Sequence, residues 1–162
     1  VYPVWDGGGT VKVVFMTSEF KPPSEEFVEQ VQTILDPITN NGQGVGVAPI
    51  GHRVTVEGVQ NSNISISFKL TFLGLLSSYK AKIEKAIDDY FLELNRHWAE
   101  TKIDSSSNYS NSGIIVRLVQ LESRILDIEG IIDVEETTLN GEHKNLVLGV
   151  DELAVRGEIA WQ

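Results

Sequence analysis

The stretch that decides the fold is residues 41–59, NGQGVGVAPIGHRVTVEGV, in which a glycine-rich segment passes into a strand pattern. Its first half contains Gly42, Gly44, Gly46 and Gly51. From about residue 52 to residue 59, apolar and polar side chains alternate, which predicts a β-strand. Because a helical pattern precedes the glycines, we expect a loop that carries the chain from a helix into a strand.

The glycines also raise the hypothesis of a phosphate-binding loop. Such a loop follows a strand and opens a helix, so that the amides at the helix N-terminus face the anion. Here the order is reversed, and no Lys-Ser or Lys-Thr pair follows the glycines. The pattern therefore favours an ordinary loop, and we predict no cofactor.

Composition and charge restrict the class of protein. A chain of 162 residues that is 41% hydrophobic fits one domain or two small packed lobes. Its apolar runs are far shorter than the ~20 residues of a membrane-spanning helix. The net charge of −10 argues against nucleic-acid binding, which needs clustered Lys and Arg. The absence of cysteine excludes disulfides and suits a reducing cytoplasm.

The first half of the chain predicts a strand, a helix and two further strands. Residues 1–9, VYPVWDGGG, resemble an interdomain linker, so we expect a fragment of a longer protein, and residues 10–16 form the first strand. Ser24 is placed to cap a helix that ends at Asp36-Pro37. The apolar stripe of that helix consists of Phe27, Val28, Val31, Ile34 and Leu35.

The most regular alternation lies in residues 64–72, after a turn predicted at residues 60–63 that would form a hairpin with the preceding strand. One face carries Ile64, Ile66, Phe68, Leu70 and Phe72, and the other carries Ser65, Ser67, Lys69 and Thr71. Strict alternation predicts an antiparallel strand with one buried face and one exposed face.

The second half predicts two helices and a closing β segment. Ser77 or Ser78 is expected to cap a helix that reaches about residue 100, and a third helix is expected over residues 114–128, with Gly130 as its stop. A strand over residues 131–139 would turn at Asn140-Gly141. Residues 146–148 and 153–161 would form one or two more strands, with a turn or bulge at Arg156-Gly157.

Together these elements predict an α+β fold: an antiparallel sheet with helices packed on one face, a ferredoxin-like split β-α-β core and a C-terminal β segment. In this prediction residues 1–9 are a linker, and residues 10–103 form a β-α-β-β-α portion. Residues 104–113 form a polar loop, and residues 114–162 form an α-β-β portion packed on the same domain.

The sequence lacks the usual patterns of enzyme sites. His52, His97 and His143 lack metal-ligand spacing, and there is no G-x-S-x-G. The neighbouring acids Glu135 and Glu136 are expected to point to opposite faces of their strand. We therefore predict no catalytic residue, no metal site and no small-molecule substrate.

Three segments carry a family resemblance: WDGGGTVKVVF, GQGVGVAPIGHRVTVEGV and LNGEHKNLVLGVDELAVRGEI. In this order they resemble the C-terminal part of the baseplate J-like proteins, which are structural components of contractile phage and prophage tails. The resemblance implies a structural role in a six-fold baseplate, where neighbouring wedges join into a ring around the tail hub. It also implies assembly in the bacterial host cytoplasm, with other wedge proteins and copies of itself as partners.

The interface residues do not follow from the family motif, and the residues themselves suggest two surfaces. One is the exposed strand face with Ser67, Lys69 and Thr71. The other is an acidic rim formed by Asp127, Glu129, Asp133, Glu135 and Glu136.

Two other classes of protein stay open. A carbohydrate- or receptor-binding tail module would need exposed aromatic side chains in a groove, and Trp5, Tyr79 and Tyr109 are the candidates. A small hydrolase would need an assembled nucleophile or metal site.

Overall fold

The structure is a computed structural model that describes residues 1–98 and 113–161. Contacts divide the chain into two compact units, Val1–Gln60 and Asn61–Gln162. The described residues form three small sheets and three α-helices, which confirms the α+β class. The prediction of one antiparallel sheet is wrong, because the strands belong to three separate sheets. The ferredoxin-like core is not confirmed, because the first three strands of the chain and the fourth lie in different sheets. The predicted portion 10–103 extends across the division between the units.

The N-terminal unit is a β-α-β crossover with a short added strand. Strand β1 (Tyr2–Pro3), which lies within the predicted linker, pairs antiparallel with β2 (Thr10–Phe15). Helix α1 (Glu25–Leu35) then carries the chain back to β3 (Arg53–Gly58), which pairs with β2 in parallel. A crossover helix permits parallel pairing, whereas a tight turn does not. The predicted order of strand, helix and strand is confirmed for β2, α1 and β3. The pairing of β2 with β3 is parallel, whereas the prediction was antiparallel.

The ends of α1 are where the sequence predicts them. The Ser24 hydroxyl accepts a hydrogen bond from the Phe27 amide at 3.2 Å, as an N-cap does. The helix ends at Asp36, directly before Pro37. The predicted apolar stripe is only partly buried, because Ile34 is 62% exposed and Phe27 is 46% exposed.

The glycine-rich loop folds back onto the end of α1. The amides of Val47 and Ala48 donate to the carbonyls of Ile34 and Leu35, which have no partner within the helix. Gly46 lies so close that a Cβ there would be 2.4 Å from the Leu35 carbonyl oxygen. Since these amides bond inside the protein, they do not form a phosphate cradle.

The chain passes from β3 into β4 (Gln60–Phe72) through the buried Val59, without a turn. The predicted hairpin is therefore wrong: Gln60, Asn61, Ser62 and Asn63 belong to the strand itself. The reason is that β3 pairs with β2, whereas β4 enters the sheet of the C-terminal unit.

The C-terminal unit is built on a sheet with the order β6-β4-β8. Its elements are α2 (Lys80–Arg96), β5 (Ile115–Val116), α3 (Leu118–Leu126), β6 (Ile131–Leu139), β7 (Leu146–Val147) and β8 (Glu152–Trp161). Helix α2 packs on β8, α3 packs on β6, and the two helices contact each other. The alternation of β4 is confirmed, since Ser65, Lys69 and Thr71 are exposed between less exposed apolar residues. On the apolar face, Ile64, Ile66 and Phe68 are buried, and Leu70 and Phe72 are half-buried.

The core of this unit comes from β4 and both helices. Its most buried side chains, none more than 2% exposed, include Ile64, Ile66, Phe68, Ile83, Ile87, Phe91, Leu121 and Ile125. Burying such side chains contributes about 1.5–3 kcal/mol each. The buried faces of α2 and α3 therefore share one core with β4.

Two predicted helix starts are wrong. A 3₁₀ turn at Leu76–Ser78 leads into α2, and Tyr79 occupies the N-cap without a capping side chain. Residues 115–116 belong to a strand, because β5 pairs with β7. Helix α3 begins only at Leu118, whose amide donates to the side chain of Asn145 at 3.1 Å. Helix α2 ends at Arg96, with His97 at the C-cap, which is short of the predicted end near residue 100. The predicted polar loop lies outside the described residues, apart from Gly113.

The two predicted turns near the C-terminus differ in outcome. Asn140-Gly141 is confirmed as a tight turn, with φ of +51° and +81° and hydrogen bonds between Leu139 and Glu142. Arg156-Gly157 is not a turn, since β8 continues through it. Gly157 packs closely on β4, since a Cβ there would lie 3.0 Å from the backbone of Ile64. Among the described residues, no helix has the length and apolar character to cross a bilayer.

Candidate functional site

The exposed face of β4 is the surface that the sequence predicts as an interface. Lys69 and Thr71 are exposed on it, and Ser67 is half-buried. Their cross-strand partners on β6 are Thr138 for Ser67, Glu135 for Lys69 and Asp133 for Thr71. Because directly opposite residues share a face of a sheet, β4 and β6 present one continuous polar surface. We call these six residues the sheet face.

A β-bulge shapes the centre of the sheet face. The register shifts between Ser67 and Lys69, so that β6 has one residue more than β4 at this point, and Glu136 has a φ of +54°. A bulge bends the strand and redirects side chains. As a result, the carboxylates of both Glu135 and Glu136 approach the Lys69 ammonium, at 3.7 and 3.9 Å.

This geometry overturns the expectation that neighbouring acids of a strand diverge. That expectation assumes regular alternation, and the bulge breaks the alternation at Glu136. All three side chains are at least half exposed, so the ion pairs themselves contribute at most about 1 kcal/mol. What the bulge provides is a local concentration of charge: one ammonium close to both Glu135 and Glu136.

The rest of the acidic rim lies elsewhere in the unit. Asp127 occupies the C-cap position of α3, and the exposed Glu129 follows in the connection to β6. Both lie before β6 in the chain, whereas Asp133 and Glu135 lie on β6 and pair with residues of β4. The structure thus joins part of the predicted acidic rim to the predicted strand face. The bulge that joins them has no clear signal in the sequence.

The depression beside the sheet face is open and has both polar and apolar lining residues. It is lined by Ser65, Ser67, Thr138 and Glu158, among others. The hydroxyls of Ser67 and Thr138 hydrogen-bond each other at 2.7 Å. Their hydrogen-bonding capacity is thus already partly satisfied inside the protein.

The histidines have structural surroundings. The Nδ1 atom of His97 lies 2.8 Å from the Glu93 carbonyl oxygen on α2, and that of His143 lies 2.7 Å from the Thr137 carbonyl oxygen on β6. His52 is exposed at the end of the glycine-rich loop. Over residues 1–98 and 113–161, no group of three His, Asp or Glu side chains could hold a metal ion.

The aromatic candidates for sugar stacking do not form a described platform. Tyr79 is buried, and its hydroxyl donates to the Leu73 carbonyl. Trp5 is 45% exposed, with the Lys12 ammonium 5.7 Å from the centre of its ring. Tyr109 lies outside the described residues. Tyr79 is therefore unsuited to the role that a carbohydrate-binding module would require.

Other perturbed groups in the C-terminal unit are structural. Burial raises the pKa of Tyr90, whose hydroxyl accepts from the Arg117 amide at 3.0 Å at the start of α3. The hydrogen bond to Asp88 raises the pKa of Arg156, which links β8 to α2 at 2.7 Å. Both contacts fix a helix in place within this unit.

Comparison with known proteins decides the family. A family model described as the baseplate J-like protein C-terminal domain matches residues 63–162. The chain belongs to the baseplate J-like protein family. A second model, the baseplate J-like central domain, matches residues 1–58. The two matched baseplate J-like domains meet where the contacts divide the chain into two units.

Two curated relatives of this baseplate J-like chain come from Bacillus subtilis (strain 168). The chain is 30% identical over 159 residues to the uncharacterized protein YqbT and 28% identical over 161 residues to the phage-like element PBSX protein XkdT. Each alignment covers 98% of this chain and 41% of the relative. The chain thus spans about two-fifths of the length of these relatives.

A solved structure shares the fold of this baseplate J-like chain. It is a cryo-EM structure of the anti-feeding prophage (AFP) baseplate, six-fold symmetrised, and the match covers 92% of this chain and 29% of that chain. The TM-score is 0.54 at 11% sequence identity, so the likeness concerns the fold alone.

Proposed function

We propose that this chain is part of a structural protein of a contractile phage or prophage tail baseplate, where it helps to join wedges into the ring around the tail hub. The observation that carries the proposal is that both domain models of the family match, in order, over nearly the whole chain. The name of the PBSX relative and the fold shared with a prophage baseplate agree with it. In this role the chain works through protein contacts, without catalysis, and assembles in the host cytoplasm.

The sheet face is the surface that we propose for contact with another baseplate protein. It is polar and exposed, and its backbone is held by the β4–β6 ladder, so it is ordered before a partner binds. A preorganised surface loses less conformational entropy on binding than a mobile one. Asp127 and Glu129 would extend the same contact on the α3 side.

Charge indicates what such a partner would present. Lys69 is paired with Glu135 and Glu136, and Asp133 lies opposite Thr71 on the same two strands, so the sheet face is negative overall. A positively charged partner surface would be attracted to it, whereas like charges would be repelled. We therefore propose a basic surface of another wedge protein as the partner.

The test is co-expression of the full-length protein with the products of neighbouring tail genes, followed by native mass spectrometry. We expect a defined hetero-complex. Introducing bulk into the sheet face with Thr71→Trp, or removing two carboxylates with Glu135→Gln and Glu136→Gln, should weaken it. Lys82→Glu, on the exposed side of α2, is a control that leaves the sheet face unchanged.

Three outcomes separate the possibilities. Loss of the complex with the sheet-face variants but not with Lys82→Glu supports both the function and the surface. An intact complex with all variants would reject the surface and keep the function. A full-length protein that forms no complex with any tail protein would argue against the function itself.

A further inference from the structure

The C-terminal unit has an open cleft where α2, β5 and α3 meet, with a volume of about 540 Å³. Pockets that bind ligands measure roughly 300–1,000 Å³, so the cleft has room for a short segment of another molecule. The residues that line it include Tyr90, Glu93 and Leu94 on α2, and Arg117, Val119 and Arg124 at α3.

The guanidinium of Arg117 is available to a partner. Arg117 is exposed at the N-cap of α3, and its amide donates to the Tyr90 hydroxyl at 3.0 Å, which holds its backbone in place. Over residues 1–98 and 113–161, no carboxylate forms an ion pair with the Arg117 side chain. The cleft therefore has a positioned positive charge without an internal counter-ion.

A second guanidinium adds to this charge. The Arg124 Cζ atom is 5.9 Å from the centre of the Tyr90 ring, and the Nη2 atom pairs with the Glu93 carboxylate at 2.5 Å. Burial raises the pKa of Tyr90, and the positive charges of Arg117 and Arg124 oppose that rise, so both act on the same hydroxyl. Among the described residues that line the cleft, two guanidiniums thus face one carboxylate. This is a local positive excess in a chain whose net charge is −10.

Apolar side chains lie beside these charges. Val119 is 74% exposed, and Leu94 and Ile115 are half-buried along the same cleft. An occupant that carries both an anionic group and apolar side chains would contact both kinds of lining. A protein segment has this combination. Nucleic acid would bring a row of further phosphates, which a chain with a net charge of −10 repels.

We propose that the cleft binds a carboxylate-bearing segment of another protein, with an Asp or Glu side chain on Arg117 and a neighbouring apolar side chain against Val119. A planar guanidinium pairs with a carboxylate through two parallel hydrogen bonds, which gives both strength and direction. Arg124 adds attraction while it keeps Glu93 as its internal partner. The cleft therefore selects an acidic partner, whereas the sheet face is proposed for a basic one.

The test is an array of short random peptides probed with the 162-residue chain, followed by fluorescence anisotropy with the acidic peptide that binds most tightly. Replacing each Asp and Glu of that peptide by its amide should abolish binding. Arg117→Gln should weaken binding by roughly tenfold or more, as expected for the loss of a hydrogen bond between charged groups. Arg117→Lys should retain part of the affinity, because it keeps the charge and loses the bidentate geometry.

The matched control is Lys82→Gln, which removes one positive charge from the exposed side of α2 outside the cleft. It should change the affinity by less than about twofold, because exposed charges at a distance are screened by salt. Val119→Asp should also weaken binding, since it replaces an apolar contact by a like charge. Val119 and Arg117 are both exposed, so urea unfolding should show that these variants keep the stability of the parent chain.

Three outcomes would overturn the proposal. One is an array without acidic peptides that bind more tightly than their amide versions. Another is an equal effect of Arg117→Gln and Lys82→Gln, which would reduce the cleft to a long-range effect of net charge. The third is displacement of the peptide by inorganic phosphate at an ionic strength where sodium chloride has no effect, which would identify a phosphate site instead. The peptides test the cleft alone, so each of these results leaves the sheet face and the proposed function standing.

Discussion

At the scale of single residues, the N-terminal unit depends on one buried carboxylate. Asp36 is 1% exposed, and its oxygens accept hydrogen bonds from the Val54 amide, the Gly42 amide and the Asn41 side chain, at 2.7–2.9 Å for the shortest contact of each. One side chain thus ties the end of α1 to β3 and to the start of the glycine-rich loop. The sequence marks Asp36 only as the end of a helix.

We predict that Asp36→Ala destabilises the chain by about 3 kcal/mol, because buried donors that lose their acceptor cost ~1–3 kcal/mol each. Urea unfolding followed by circular dichroism measures this. Asp127→Ala, an exposed carboxylate at the C-cap of α3, is the matched control and should change stability by less than ~0.5 kcal/mol. Equal effects of the two substitutions would show that Asp36 does not hold the loop.

At the scale of elements, both units use the same device to close the edge of a sheet. The Gln32 amide on α1 donates to the Val54 carbonyl at 2.9 Å and accepts from the Val56 amide at 2.8 Å. The Asn95 amide on α2 does the same with the carbonyl and the amide of Ala154 on β8, both at 2.9 Å. Each side chain thus satisfies backbone groups that a neighbouring strand would otherwise bind.

We predict that Asn95→Ala lowers the free energy of unfolding by about 1–3 kcal/mol, since both backbone groups of the buried Ala154 lose their partner. Hydrogen exchange at the Ala154 amide should become faster. Asn61→Ala, an exposed amide side chain at the start of β4, is the control and should leave both measurements unchanged. Unaltered exchange at Ala154 would contradict the role of Asn95.

These elements also show what the sequence can predict. The alternation in β4, the Ser24 cap and the Asn140-Gly141 turn depend on neighbouring residues, so local patterns are enough to predict them. The sheet in which a strand lies depends on distant contacts: β3 and β4 are separated only by Val59, yet they pair in different sheets. The bulge at Glu136 likewise needs the β4 partner to be defined, which is why the clustering of Glu135 and Glu136 at Lys69 was missed.

At the scale of the whole molecule, the chain consists of two units, each with its own sheet and helix packing. The sheet face lies in the C-terminal unit, so it can be changed without touching the fold of the N-terminal unit.

The last prediction is that residues 60–162, which keep all of β4, fold without the N-terminal unit. The reason is that β4, α2 and α3 supply the most buried side chains of this unit, and its central strand has both of its neighbours, β6 and β8. The fragment should unfold cooperatively in urea, and Asn95→Ala should destabilise it as much as it destabilises the whole chain. A fragment of residues 74–162 lacks β4 and should not fold, because β6 and β8 would lose the strand between them. A disordered 60–162 fragment would show instead that this unit needs residues 1–59 for its stability.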